Sequence, residues 1–407
     1  MKILILSRYI YDESIPEFGI NQTGLGMMIN DIAKSTANYN DVLLLTRAIS
    51  KGKVRGNYVI LKHTWVDFLK SFSLRCLVEG VKKAIKAGEN FKDRLKVIYF
   101  YLDGSYLRKI IKKYNPDIAH IHGIDESSEA YIKACEHFGI PYIVTLHGLI
   151  GLDDSVLASK YNKQLEHDFL KASEDKNILV TVISSGIKKR IIKNYGLGNG
   201  KNIKVITNGV DCYSATKDRI NIRDMHNIPE NNTIIVCIGN ISKNKNQIQL
   251  VESLYHLSKE TVKNITVIFV GKDNTNGLLE TRARELRFER NCVFCGPVNK
   301  KNIASYFSEA TLNIVASLNE GFGLSIIEGF VHGVPTVTFS DLDAIEDLYN
   351  DKAMLLTNER TSSALAESIY KALKKHWDKD WIKKYAEQFS LDKMAQNYDK
   401  IYKDILK

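Results

Sequence analysis

Short runs of consecutive apolar residues recur along this chain, separated by longer stretches whose apolar positions return every three or four residues. In the first half the runs 2–7, 42–46, 118–122, 142–146, 179–183 and 204–206 predict strands, and in the second half 233–238, 266–270, 292–295, 312–315 and 336–339 do the same. Most are unbroken Val, Ile and Leu, the pattern of strands covered by helices on both faces. Strand and helix alternate throughout, which predicts an α/β protein with parallel sheets. The pattern restarts near residue 208, so two doubly wound, Rossmann-like domains are expected: 1–208, and 209–385 beyond a crossing at Asn208-Gly-Val-Asp211. They are expected to face each other across a cleft, the usual place for a ligand. The tail from Trp381 to Lys407 reads as helix, and its last part, from about 386, is expected to pack back on the first domain.

A length of 407 residues agrees with two cores, and 44% hydrophobic against 26% charged residues describes a globular chain. The opening apolar run is too short for a signal peptide and reads as a first strand, so a cytoplasmic location is expected. Cys292 and Cys295 have a C-x-x-C spacing without a second pair or a nearby histidine in sequence, and read as structural thiols. The net charge of +10 is concentrated between Lys62 and Lys113, where 13 Lys/Arg face 5 Asp/Glu. Interleaved Phe68, Leu69, Phe72, Leu74, Leu77, Val78, Val81, Ile85 and Phe91 make this segment amphipathic. Such a surface suits anionic lipid headgroups or a polyanionic acceptor, and membrane-surface contact is expected. No stacking platform or recognition motif accompanies it, which argues against nucleic acid.

Candidate chemistry centres on Glu320-Gly-Phe-Gly-Leu-Ser-Ile-Ile-Glu328, where a strand passes into a helix. Glycines at such a turn let backbone amides approach a ligand, and the helix start favours negative charge, so a phosphate site is outlined. Glu320 suits sugar hydroxyls, and Glu328, further into the helix, suits ribose hydroxyls. His120 and His122 alternate along a strand with no third ligand at metal spacing, and read as core or cleft residues. Asp341-Leu-Asp343 follows a late strand; it reads as a loop near the same ligand, with Glu346 as a helix-start carboxylate.

The block from Ala316 to Val337 strongly resembles the E-x7-E region of family 4 glycosyltransferases, which have the GT-B fold. The resemblance implies a retaining transfer from a nucleotide sugar, with UDP favoured, to a glycan or lipid-linked acceptor, without a metal or other cofactor. It places Glu320 by the donor sugar, Glu328 on the ribose, and the amides of Gly321, Phe322, Gly323 and Leu324 along the sugar and phosphates. Lys245 matches the family's diphosphate lysine, while Asn240 stands where an arginine is common. Gly24 and Gly26, in the stretch 18–27, resemble the glycine-rich loop after the first strand. His147 matches a strand-end histidine that contacts the donor sugar. Glu320, His147 and Lys245 are therefore the expected catalytic residues. A non-catalytic partner subunit of the same fold and a sugar-nucleotide epimerase remain the other readings of the sequence.

Overall fold

The computed structural model describes residues 1–8, 10–12, 15, 24–46, 52–87, 91–152, 159–176, 178–212 and 220–407. The chain forms two compact units, one of Met1–Gly209 with Leu391–Lys407, the other of Val210–Ser390.

The first unit contains β1 (Lys2–Leu6), α1 (Gly24–Thr36), β2 (Asp41–Leu45), β3 (Lys53–Arg55), β4 (Tyr58–Ile60), α2 (Trp65–Lys70), α3 (Leu74–Lys86), α4 (Phe91–Tyr114), β5 (Ile118–His122), β6 (Tyr142–Leu146), β7 (Val180–Val182) and β8 (Ile203–Val205). The strand order is β3-β4-β2-β1-β5-β6-β7-β8, parallel except for the β3–β4 pair. The hairpin β3–β4 was not expected from the sequence. The helix Leu391–Ile405 belongs to this unit and packs on α1. Tyr398 and Tyr402 are its buried anchors.

The second unit contains β9 (Thr233–Ile238), β10 (Ile265–Val270), β11 (Cys292–Phe294), β12 (Leu312–Val315), β13 (Thr336–Phe339) and β14 (Met354–Thr357). Their order is β11-β10-β9-β12-β13-β14, all parallel. Alternate residues of β9 serve two cores. Ile235 and Cys237 pack with Leu250, Leu254 and Leu365 on one face. Ile234 and Val236 pack with Tyr306 and Phe307 on the other. Burial on both faces is why these strands read as continuous apolar runs.

The stretch from Trp381 is two helices, not one. Lys379–Ala386 ends in the turn Glu387–Phe389, and Ser390 adopts extended backbone. The Val210 amide donates to the Phe389 carbonyl at 2.9 Å, and Phe389 is buried. The first helix therefore stays with the second unit.

Candidate active site

In the second sheet β9 is central, and the direction of winding reverses between β9 and β12. Ligands of open α/β sheets bind outside the carboxyl ends of the strands at such a switch point. Two loops meet there. The loop after β9 carries Lys245, and the loop after β12 carries Glu320.

Side chains and backbone join them. The Leu318 amide donates to the Asn244 carbonyl at 2.7 Å, and Asn244 Nδ2 donates to the Asn319 carbonyl at 3.0 Å. Lys245 Nζ donates to Glu320 Oε2, forming a salt bridge, and Ser317 Oγ donates to the same oxygen at 3.1 Å. Both charged side chains are partly shielded, 30% exposed for Lys245 and 15% for Glu320, so the pair is stronger than one in open solvent. Two residues expected to act at one site from 75 positions apart are thus in direct contact.

Beyond Glu320 the chain turns into the helix Leu324–Val331 through Gly323, which has φ +77° and no side-chain cap on the helix. A Cβ at Gly323 would lie 2.8 Å from Ile326 Cδ1, a side-chain end that can shift, so the positive φ is what favours glycine here. The uncapped first turn offers amide donors and the positive end of the helix dipole. Phe322 is buried with its ring edge-on to Phe389, centroids 6.3 Å apart. Leu324 opens the helix, and Glu328 lies one turn further on, half-buried.

Asn240 is exposed and anchors its loop through both side chain and backbone. Its Oδ1 accepts from the Lys272 amide at 3.1 Å, and its carbonyl accepts from Gln247 Nε2 at 3.1 Å. The side chain ties the loop after β9 to the loop after β10.

The remaining expected residues lie in the first unit. Gly24 and Gly26 open α1, and the preceding residues 18–23 lie outside the described ones. His147 follows β6, and its Nε2 is 3.0 Å from His122 Nδ1 at the end of β5. His120 is wholly buried between Tyr402 Oη at 2.7 Å and Thr145 Oγ1 at 2.6 Å. It is a core residue tying β5 and β6 to the C-terminal helix. Burial pushes His147 down to about 4 and His120 down to about 3, and holds His122 well below the ordinary value.

These histidines are neutral when folded, whereas in the unfolded chain each takes up a proton near pH 6.5. The unfolded state therefore binds more protons below that pH. Stability of the first unit should fall from about pH 6.5 towards pH 4, at up to about 1.4 kcal/mol per pH unit for each histidine. Calorimetric melting from pH 7 to 4 checks this; a flat melting temperature above pH 5 would contradict it.

No group of three or more His, Cys, Asp or Glu that could hold a metal occurs among the described residues. Cys292 is buried, and Cys295 has a partner the sequence did not bring near it, His226 Nε2 at 3.5 Å. Asp341 does not face a ligand alone: Arg360 holds it through two hydrogen bonds of 2.7 Å. Sequence reasoning missed Arg360. Glu346 does lie in the first turn of a helix, Ile345–Leu348.

Residues 218–389 match the family model for glycosyl transferases group 1, and residues 77–213 match that for glycosyltransferase family 4. The chain is a family 4 glycosyltransferase. Relatives include N-acetyl-alpha-D-glucosaminyl L-malate synthase of Bacillus anthracis, 23% identical over 74% of this chain and 78% of that protein. The O-antigen biosynthesis glycosyltransferase WclY of Escherichia coli is 27% identical over 50% of this chain and 56% of its own. Among solved structures, Anabaena HepE in complex with UDP superposes with a TM-score of 0.68 at 18% identity, covering 99% of this chain and 100% of that one. That likeness carries the GT-B fold of this glycosyltransferase. Among its described residues, no helix is long and apolar enough to cross a membrane.

Proposed function

We propose that this glycosyltransferase moves a sugar from a UDP-sugar to a glycan or lipid-linked acceptor in bacterial polysaccharide, lipopolysaccharide or glycolipid synthesis. The observation that carries the proposal is the convergence of Lys245, Glu320 and an uncapped helix start at one switch point. Departure of a nucleoside diphosphate builds negative charge on the phosphates and positive charge on the sugar ring. Lys245 and the first-turn amides suit the former, Glu320 the latter. Nothing in this division of charge calls for a metal, so chelation with EDTA should leave turnover unchanged.

Transfer with retention of anomeric configuration belongs to the same reading. Its support is the family resemblance, with the leaving phosphate taking the acceptor's proton. The names of WclY and of the HepE complex with UDP support the biosynthetic role and the base. A thermal-shift panel of UDP, GDP, ADP and their sugar conjugates tests the donor. Ligand at about 100 times its Kd adds about 2.7 kcal/mol of stability. Stabilisation by UDP compounds is expected; no shift with any nucleotide would defeat the reading.

The acceptor side of the reading includes a membrane surface. Trp65, Leu69, Phe72, Leu74, Ile85 and Phe91, on and between α2, α3 and the start of α4, are each more than half exposed. They stand among Lys70, Lys82 and Lys92, which are also exposed. Apolar side chains flanked by cations suit the boundary of an anionic bilayer. Each basic residue contributes about 1 kcal/mol there. The triple change Lys70→Glu, Lys82→Glu and Lys92→Glu should lower affinity for phosphatidylglycerol vesicles about 100-fold or more. Equal binding of wild type to neutral and anionic vesicles would remove this part.

A further inference from the structure

The loop that carries Glu320 is held by an unusual arrangement of its backbone. Three successive carbonyls, those of Ser317, Leu318 and Asn319, all accept from side chains. Arg360 Nη1 donates to Ser317 O at 2.9 Å and Nη2 to Leu318 O at 3.4 Å, while Asn244 holds Asn319 O. Arg360 enters from the loop after β14. Its Nε and Nη2 form a fork on the carboxylate of Asp341, which lies in the loop after β13. The guanidinium also lies over the ring of the fully buried Phe339, 4.4 Å from its centroid. One planar cation therefore joins the loops that follow β12, β13 and β14.

We propose that Arg360, oriented by Asp341 and Phe339, is a positioning residue for Glu320 and the Gly321–Gly323 amides. The physical reason lies in the carbonyls. A loop that must present a carboxylate and several amides to a ligand needs its carbonyls turned away and satisfied, or it relaxes towards other turns. Guanidinium is the one side chain with enough fixed donors to grip two carbonyls and a carboxylate at once. Lysine keeps the charge without the fork. Asp341 neutralises and aims the guanidinium. The inference rests on reading the loop as the donor loop, and deepens that reading.

The test separates the two. Hydrogen exchange of the amides in the segment 317–323 is measured without ligand in wild type, Arg360→Gln, Arg360→Lys and Asp341→Asn. Exchange in this segment should quicken about tenfold or more in both Arg360 variants, and less in Asp341→Asn, while β9, β10 and β12 keep their protection. A purely structural role would loosen the strands and the loop together. In transfer assays with UDP-glucose as the probe donor, kcat should fall about 10- to 100-fold with the donor KM within about twofold, since misplacement by about 1 Å costs on that scale. Wild-type exchange rates in folded Arg360→Gln, or in Asp341→Asn should the former not fold, would overturn the proposal. Failure of wild type to bind UDP in calorimetry would instead speak against the proposed function, because the exchange measurement needs no ligand.

Discussion

Replacing Glu320 with alanine is expected to leave nucleotide affinity within about threefold of wild type while transfer falls about 10²- to 10³-fold, the usual range for losing one electrostatic group aimed at the transition state. The geometry makes the two effects separable. Glu320 Oε2 is held by Lys245 and by Ser317 Oγ, and neither of these depends on the carboxylate for its place in the backbone. Lys245 sits at the end of a turn whose Ser242 amide bonds to Gln247 Oε1 and whose own amide bonds to Ser242 Oγ. It would keep its place in that turn once its partner was gone, and its charge would then be wholly available to the diphosphate. Nucleotide binding should hold or tighten, and only the stabilisation of positive charge on the sugar should be lost. Glu320→Gln separates charge from shape, since it keeps the bulk and an oxygen for Ser317. Calorimetry with UDP alongside steady-state transfer would check the pattern. Full turnover in Glu320→Ala would remove Glu320 from the reaction.

How far the sequence reaches is clear from particular residues. The runs at β5, β6, β9, β12 and β13 were legible to the residue, because short Val, Ile and Leu-rich segments bounded by turn residues leave little choice of ends. The strand β3 was not, since Lys53-Val-Arg55 has no apolar run and Val54 is 71% exposed. An edge strand is held by its neighbour's backbone, which leaves no mark in the side chains. β14, Met354-Leu-Leu-Thr357, was not expected from the sequence either. Lys245 and Glu320 were each legible from motifs, but their contact was not, as spacing along a chain says nothing of where two loops meet. Asn240 shows the reverse case. Its identity suggested a missing charge, and only the hydrogen bond to the Lys272 amide explains what the amide side chain does there. Arg360, in Asn-Glu-Arg, belongs to no motif. The one signal for it was Asp341, a carboxylate at a strand end that the sequence left without a partner.

The close approach of the loops after β9 and β10 leads to the last expected result, a large loss of stability on changing Gly271 to alanine. Gly271 has φ +147°, and a Cβ there would lie 2.3 Å from the carbonyl oxygen of Gly239, 2.5 Å from its carbon and 2.8 Å from the Asn240 nitrogen. All three are backbone atoms, so no side chain can swing aside. The strained backbone costs about 1–3 kcal/mol and the overlap about as much again. Set against a total stability of about 5–15 kcal/mol, this is a large fraction. A drop of roughly 5–20 °C in the melting temperature of the second unit follows. Relief of the overlap must come from the backbone of Gly239 and Asn240, which leads directly into the turn that carries Lys245. Affinity for UDP should therefore fall with stability, unlike the Glu320 change. Gly277 is the control: it too has positive φ, +81°, but an added Cβ meets nothing within 4 Å, so Gly277→Ala should cost only backbone strain of about 1 kcal/mol. If Gly271→Ala melted no lower than Gly277→Ala, the packing of the two loops would not be what sets Lys245 in place.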